Sequence, residues 1–373
     1  LKPPSEVASL KPCVHGGEIF QVAEKYGLDP RELLDFSANI NPLGPPPEAL
    51  EAVKASLWEV SLYPETDSAA LRRALAQHVG GLTSENVILG NGSTELIHLF
   101  AQVFLRKGSR AVIPSPTFGE YEAAVLKAGG KPVFVEAGED FSFQVDKILG
   151  KVDSRTVMVF LCNPNNPTGA LMPAEELISL IEKAEEKGIL VFLDEDCMDF
   201  VEDGKRFSLS GNVEKHPNLF TLRSFTKFYG MPGLRIGYGF ASKKIIEPML
   251  GLKIPWNVNC LAQAAALQAL KAQDYPRKTR ELIQKERLFL MEELKGFNNL
   301  RVYPTEANFI LIDIEGSGLT AAQLKEKMLR QGILIRDCSS FRGLSSRHVR
   351  VAVRSRRENL RLLEALRKVL KNP

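Results

Sequence analysis

Cysteine is scarce, with five in 373 residues, at 13, 162, 197, 260 and 338. No CxxC and no Cys/His ligand spacing occurs among them, which argues against a disulfide scaffold or a zinc site. A reduced, cytoplasmic setting is the expectation. No apolar run approaches the roughly 20 residues of a membrane span, and the polar, proline-bearing start lacks the charged-then-apolar pattern of a secretory signal. No membrane partner is expected. Neither sign of charge dominates, since 48 basic against 45 acidic residues leave +3. That is too little to argue for nucleic acid. The one basic cluster, from Arg347 to Arg357, is explained equally by a local anion site or a solvated helix end. Glycine (28) and proline (22) are present in ordinary amounts, so the chain is neither collagen-like nor disordered.

What is present is a long alternation. Residues 1–34 read as an arm with a short helix from His15 to Tyr26. Residues 35–47 read as loop, because Asn, Gly and four prolines forbid regular structure. From about residue 48, apolar strands are expected at Val87–Leu89, Ala111–Ile113, Pro132–Val135, Val157–Cys162, Ile189–Leu193, Leu219–Leu222 and Ile236–Phe240. They are apolar throughout, as suits a mostly parallel sheet buried on both faces. Helices separate them. One follows Gly90-Asn91-Gly92, with Leu96, Ile97, Phe100, Ala101 and Phe104 at helical spacing. After about residue 260 the texture changes to a long helix, Leu261 to Lys295, then Asn308–Ile314, a helix near Ala321–Gln331, strands at Ile333–Arg336 and Val349–Val353 and a closing helix, which read as a smaller α+β unit. The division expected is an arm and loop over 1–47, a large α/β domain over 48–260, and a small domain over 261–373.

Ligands in open α/β sheets bind beyond the carboxyl ends of the strands. Several polar groups fall at such exits. Gly92-Ser93-Thr94 opens a helix and suits a phosphate, although alone it reads equally as a plain N-cap. Cys162-Asn163-Pro164-Asn165-Asn166-Pro167-Thr168-Gly169 alone is a loop of turn formers. Asp194 ends a buried strand and needs a cation to offset its desolvation. Ser224-Phe225-Thr226-Lys227 precedes Gly233-Leu234-Arg235-Ile236-Gly237-Tyr238. A lysine there could form an imine beside a bound phosphate.

Taken together and in this order, NNPTG, a strand-end Asp, SxxK and GLRIGY resemble the fold-type I pyridoxal-phosphate enzymes, over essentially the whole chain. Within them the chain is similar to the histidinol-phosphate aminotransferase branch. His15-Gly16-Gly17, the run Asp35 to Gly44, and Arg336 to Leu344 narrow the resemblance to the L-threonine-O-3-phosphate decarboxylases, carboxy-lyases that serve cobalamin synthesis. The resemblance implies a large domain with a seven-stranded sheet plus a smaller C-terminal domain, and pyridoxal 5′-phosphate as cofactor.

It also implies residue roles. Lys227 would be the Schiff-base lysine, and Asp194 would pair with the pyridine nitrogen. Asn166 would donate to the ring oxygen O3′, and Phe118 would stack on the ring. Gly92, Ser93, Thr94, Ser224 and Arg235 would hold the cofactor phosphate. Tyr63 would reach that phosphate from a second subunit, so a homodimer with shared sites is expected. Arg350 would bind the substrate carboxylate. His15, Ser37, Asn39, Asn166, Arg336 and Arg342 are the further substrate candidates, for a phosphorylated amino acid. One position departs from the motif. Many relatives read DEAY, with a tyrosine that also binds O3′, and here Cys197 stands in its place. A thiol is a poor donor.

Three functions follow in order. The first is decarboxylation of L-threonine O-3-phosphate to (R)-1-amino-2-propanol O-phosphate, with O-phospho-L-serine as a variant substrate. The second is a histidinol-phosphate-type aminotransferase. The third, a non-catalytic ligand sensor, is opposed by the intact Lys227 and Asp194 and by a chain wholly used by the enzyme fold.

Overall fold

The computed structural model describes residues 10–371. A seven-stranded sheet forms from Val87–Gly90, Arg110–Ser115, Lys131–Glu136, Thr156–Cys162, Leu190–Asp194, Leu219–Ser224 and Gly237–Ala241. In space the order, by first residue, is 87, 237, 219, 190, 156, 110, 131. The strand Gly237–Ala241 runs antiparallel to both neighbours, and the other pairs are parallel. All seven expected strands are therefore found. Because one strand is reversed, its first residue, Gly237, lies at the same sheet edge as the last residues of the others.

Strand side chains alternate between the two faces. Val159, Leu161, Val191, Leu193 and Leu219 join one core, while Met158, Phe160, Phe192, Phe220 and Leu222 join the other. The second core holds an aromatic ladder. Phe192 stacks on Phe220 at 5.0 Å between centroids and meets Phe160 at 5.1 Å. Gly239 makes room for it, since a Cβ there would lie 2.1 Å from Phe220 Cζ.

A second, four-stranded antiparallel sheet has the order Arg336–Asp337, His348–Ala352, Phe309–Asp313, Arg301–Val302. Helices Asp274–Lys295 and Ala321–Leu329 pack on it, and Arg356–Lys371 packs on both of those helices. Leu34–Asp35 pairs in parallel with Ile333–Leu334. The tie is reinforced by bonds from Phe36 N–H to the Leu334 carbonyl (2.8 Å) and from Ala352 N–H to the Phe36 carbonyl (2.9 Å). The two ends of the chain are thus joined.

Three expectations are corrected. The single helix over 261–295 is two, Cys260–Ala269 and Asp274–Lys295. Pro276 sits in the first turn of the second, and its ring would strike the Ala272 carbonyl if the helix ran through. The strand expected over 333–336 is two short pieces, because Ile333–Leu334 pairs with the arm and Arg336–Asp337 with His348–Ala352. The arm helix begins at Ile19, not His15, since Gly17 has φ +80°. Among the described residues no helix is long and apolar enough to cross a membrane.

The aromatic ladder gives a stability expectation. Phe220→Ala should cost about 3–5 kcal/mol, read as a lowered denaturant midpoint at unchanged slope.

Candidate active site

The sheet edge gathers the chemistry. The helix Ser93–Phe104 starts there with no side-chain cap on its N-terminus. Its first N–H groups and the Ser93 and Thr94 hydroxyls form a cradle for an anion. Two glycines shape that cradle. A Cβ on Gly237 would come within 2.4 Å of Ser93 N, and one on Gly92 within 2.3 Å of Arg235 Nη2. Arg235 itself is left-handed at φ +59°, which turns its guanidinium across Gly92.

Next along the edge stand Asp194, Glu195 and Asp196, all buried. Asp194 accepts the Tyr121 hydroxyl at 2.6 Å and the Asp196 N–H at 2.9 Å. Burial and the neighbouring Asp196 raise its pKa to about 6. A cation brought to this carboxylate would relieve that cost. Glu195 is tied to Arg223 at 2.9 Å and also accepts from Ser208, Ser210 and the Leu209 N–H. Asp196 pairs with Lys227 Nζ at 2.6 Å and accepts the Ser224 hydroxyl. The Lys227 turn rests on the loop before it in sequence. Asn41 N–H donates to the Lys227 carbonyl at 3.0 Å, and a Cβ on Gly230 would lie 2.8 Å from the Gly44 carbonyl carbon.

The opposite wall is cationic. Arg336 and Arg350 face one another across the antiparallel strand pair, and both are buried. Arg350 donates to Asn166 Oδ1 (2.5 Å) and to the Ser37 carbonyl (2.9 Å), and its Nε has no partner among the described residues. Because Arg350 takes the Asn166 oxygen, the Asn166 amide N–H is the end left to face a ligand. Arg336 donates to the Val14 carbonyl (2.7 Å) and to Ser340 Oγ (3.2 Å). Burial lowers the pKa of both guanidiniums. Both line a cavity of about 1170 Å³, together with Asn166, Phe118, His15 and Arg342.

The arm closes that cavity. A Cβ on Gly16 would lie 2.4 Å from the Ser37 carbonyl oxygen, so glycine is needed for the close approach. Gly17 N–H donates to Ser37 Oγ at 2.9 Å. His15 Nε2 lies 2.9 Å from one oxygen of buried Glu120, and His98 Nε2 lies 2.8 Å from the other.

A family model for aminotransferase class I and II matches residues 31–366. The chain belongs to that family.

The chain is 42% identical, over 97% of its length and 95% of the relative's, to a Caldanaerobacter subterraneus subsp. tengcongensis protein named "Putative threonine-phosphate decarboxylase". It is 37% identical, over the same shares, to the histidinol-phosphate aminotransferase of Methanothermobacter thermautotrophicus. Solved structures divide the same way. The L-threonine-O-3-phosphate decarboxylase from Porphyromonas gingivalis matches with a TM-score of 0.82 at 29% identity, covering 91% of this chain and 100% of that one. The histidinol-phosphate aminotransferase from Clostridium acetobutylicum gives 0.85 at 33% over the same shares. The fold is thus the fold-type I transferase fold, the protein is an enzyme of the class I and II aminotransferase family, and its cofactor is pyridoxal 5′-phosphate. The uncapped helix, the glycine-lined cradle and the lysine at the sheet edge suit that cofactor.

Against the family's motifs, the structure brings together Gly92, Ser93, Thr94, Asn166, Asp194, Ser224, Lys227, Arg235, Arg336 and Arg350. Four substrate candidates stand differently from expectation. Ser37 gives its hydroxyl to Asp35 (2.6 Å) and accepts Gly17 N–H, so it anchors the arm instead of facing a ligand. Asn39 donates to Asn308 Oδ1 (2.9 Å) and lies beside Cys197, so its amide is also committed within the protein. His15 lines the cavity but is held by Glu120. Arg342 lies at the rim, over the Phe134 ring and bonded to Glu122 at 2.8 Å. Tyr63 is 79% exposed and stacks on Trp256 at 4.7 Å. Phe118 meets Tyr121 edge-on at 5.8 Å and His15 at 5.9 Å. Sequence reasoning missed Glu120, His98, Tyr121 and Asp196. Only Asp196 carried a readable signal, since DEAY becomes Asp-Glu-Asp-Cys here.

Hydrogen bonds from His15 and His98 hold the Glu120 carboxyl well below the usual carboxylate range, against the opposing effect of burial. A depressed acid stabilises the fold above its ordinary pKa, and that contribution is lost as pH falls through the folded value. Glu120→Gln should therefore free the arm at neutral pH, raising hydrogen exchange over residues 14–20 by about tenfold, the scale of one charged hydrogen bond. The wild type should show the same loosening only when acidified below the usual glutamate range.

Proposed function

We propose that the enzyme decarboxylates L-threonine O-3-phosphate to CO2 and (R)-1-amino-2-propanol O-phosphate. One observation carries the reading. Arg336 and Arg350 are buried directly opposite one another, and neither has a carboxylate partner among the described residues. Like charges so placed are destabilising, and a ligand with two anionic groups, one carboxylate and one phosphate, would satisfy both. The 42% relative supports the same reading.

In this reading the cradle of Gly92, Ser93 and Thr94, with Ser224 and Arg235, holds the cofactor phosphate. Asp194, steadied by Tyr121, would pair with the ring nitrogen. Asn166 would give its amide to the ring oxygen, and Phe118 would pack on the ring. Pyridoxal 5′-phosphate bound through Lys227 supplies an electron sink for the bond broken at Cα. The planar fork of Arg350 takes the substrate carboxylate. Arg336 takes the substrate phosphate, with His15 of the arm and Arg342 at the rim of the same cavity. Two fixed anion sites set the rotation of the substrate about Cα, and that rotation selects the bond that breaks.

The assay is CO2 release from L-threonine O-3-phosphate by the loaded enzyme with no 2-oxo acid present. Steady release is expected, and Arg336→Ala should raise KM by about 10- to 100-fold, the scale of a charged hydrogen bond. No release, with turnover of histidinol phosphate once 2-oxoglutarate is added, would establish the aminotransferase instead.

A second copy of the chain completes the site in this reading. Leu57, Trp58, Val60, Leu62 and Ile254 are all more than half exposed around Tyr63 and Trp256, an apolar ledge of the kind that marks an interface. Tyr63 at its centre would then reach the partner's cofactor phosphate. Light scattering should show a dimer, and mixing Tyr63→Ala with Lys227→Ala should regain activity that neither variant has alone. An active monomer would refute the shared site.

A further inference from the structure

Where the family motif reads alanine, this chain places a carboxylate inside the site. Asp196 Oδ2 lies 2.6 Å from Lys227 Nζ, and its other oxygen accepts the Ser224 hydroxyl. Among the described residues, the titratable groups that act most strongly on Lys227 are Asp196, Cys197 and Asp194. Asp194 is held by Tyr121 on the far side. Cys197, 3.9 Å from Nζ, has its thiol pushed up to about 11 by burial and so stays neutral. Asp196 is therefore the anion in contact with the lysine. Ser224, by donating to Asp196, fixes which way that carboxylate points.

We infer that Asp196 is a positioning residue that keeps Lys227 as an ammonium whenever the lysine nitrogen is free, so that Lys227 gives a proton to the substrate Cα and does not take one. The second half rests on the decarboxylase reading above. In decarboxylation the Cα–carboxylate bond breaks, its electron pair stays with the Cα side, and CO2 departs. A proton from Lys227 Nζ then takes the vacated place, and the neutral amine is reprotonated from water. Transamination instead requires a neutral Lys227 to remove the Cα proton. A carboxylate in contact favours the ammonium. Burial alone would lower the lysine's pKa; Asp196 is the strongest opposing group, and with Cys197 and Asp194 it turns the net direction upward.

The test begins with the apoprotein, so that it does not depend on turnover. Reductive methylation with formaldehyde and cyanoborohydride attacks only neutral amines. Mass spectrometry follows the Lys227 peptide across pH, with exposed Lys187 as internal reference. Asp196→Asn keeps the shape, and Asp196→Ala restores the residue that the motif itself uses. Both should speed modification of Lys227 at pH 8 by about tenfold or more, the least shift expected of a contacting charge. Both should also move the pH midpoint down while Lys187 is unchanged. An unmoved midpoint in both variants overturns the inference, and so does a rate raised equally at every pH, which reports access and not charge.

The loaded enzyme, given 2-oxoglutarate to accept the amino group, then shows the partition between 2-oxo acid and CO2 from L-threonine O-3-phosphate. Asp196→Ala should shift it toward the 2-oxo acid. A moved midpoint with an unchanged partition overturns the claim that Asp196 directs the proton. A moved midpoint in an enzyme that never releases CO2 leaves the lysine's partner standing and sinks the decarboxylase reading alone.

Discussion

Three consecutive carboxylates at the end of one buried strand have to be compensated before anything else at this site can exist. A buried, unpaired carboxylate is costly enough to unfold a loop. Each of the three is answered by a different element. Asp194 takes the hydroxyl of Tyr121 from the helix Glu120–Lys127, Glu195 takes Arg223 from the adjacent strand, and Asp196 takes Lys227 from the turn beyond it. The electrostatic demand of one strand end therefore fixes a helix, a neighbouring strand and the lysine turn relative to one another. Glu195 is wholly consumed in this structural duty. Asp194 and Asp196 are left in contact with groups that a ligand would rearrange.

The facing wall poses the same problem with the sign reversed. Arg336 and Arg350 are satisfied by carbonyls, an amide and a hydroxyl, which accept hydrogen bonds without cancelling charge. Aromatic faces help, with Phe309 4.8 Å from the Arg350 guanidinium and Phe341 5.3 Å from that of Arg336. Negative strand end and positive sheet wall together make a polarised cleft, in which a zwitterionic or doubly anionic amino acid has one orientation of lowest energy.

Much of this was legible in the sequence, for reasons that differ by element. The seven strands announced themselves because burial on both faces demands unbroken apolar runs. The cofactor cradle was legible because glycines at 92 and 237 and a lysine at 227 recur in a fixed order. The two-residue strands were not, since Leu34–Asp35 and Ile333–Leu334 exist only by pairing across almost the whole chain. The Glu120 clamp was also invisible, because His15 and Glu120 lie 105 residues apart and no local pattern joins them. Asp196 was overlooked beside the more conspicuous Cys197. An extra acid in an acidic run looks like a solvated loop until its burial is known.

The pairing of the arm with the far end of the chain has a consequence for how such proteins diversify. Residues 34–36 are hydrogen-bonded to 333–334 and to 352, and Arg354 donates to the Asp35 carbonyl at 3.1 Å. The arm is thus stitched to the segment that carries both arginines. A recombination event with one crossover in the middle of the gene would bring together an arm and a sheet from different parents. The hybrid would join an arm to an arginine-bearing sheet with which it had never been matched. Two crossovers, exchanging the central portion alone, would keep that pair together but replace Phe118, Glu120 and Asn166, which line the pocket or clamp the arm. Change that spares the pocket is therefore confined to substitutions that respect contacts spanning the whole chain.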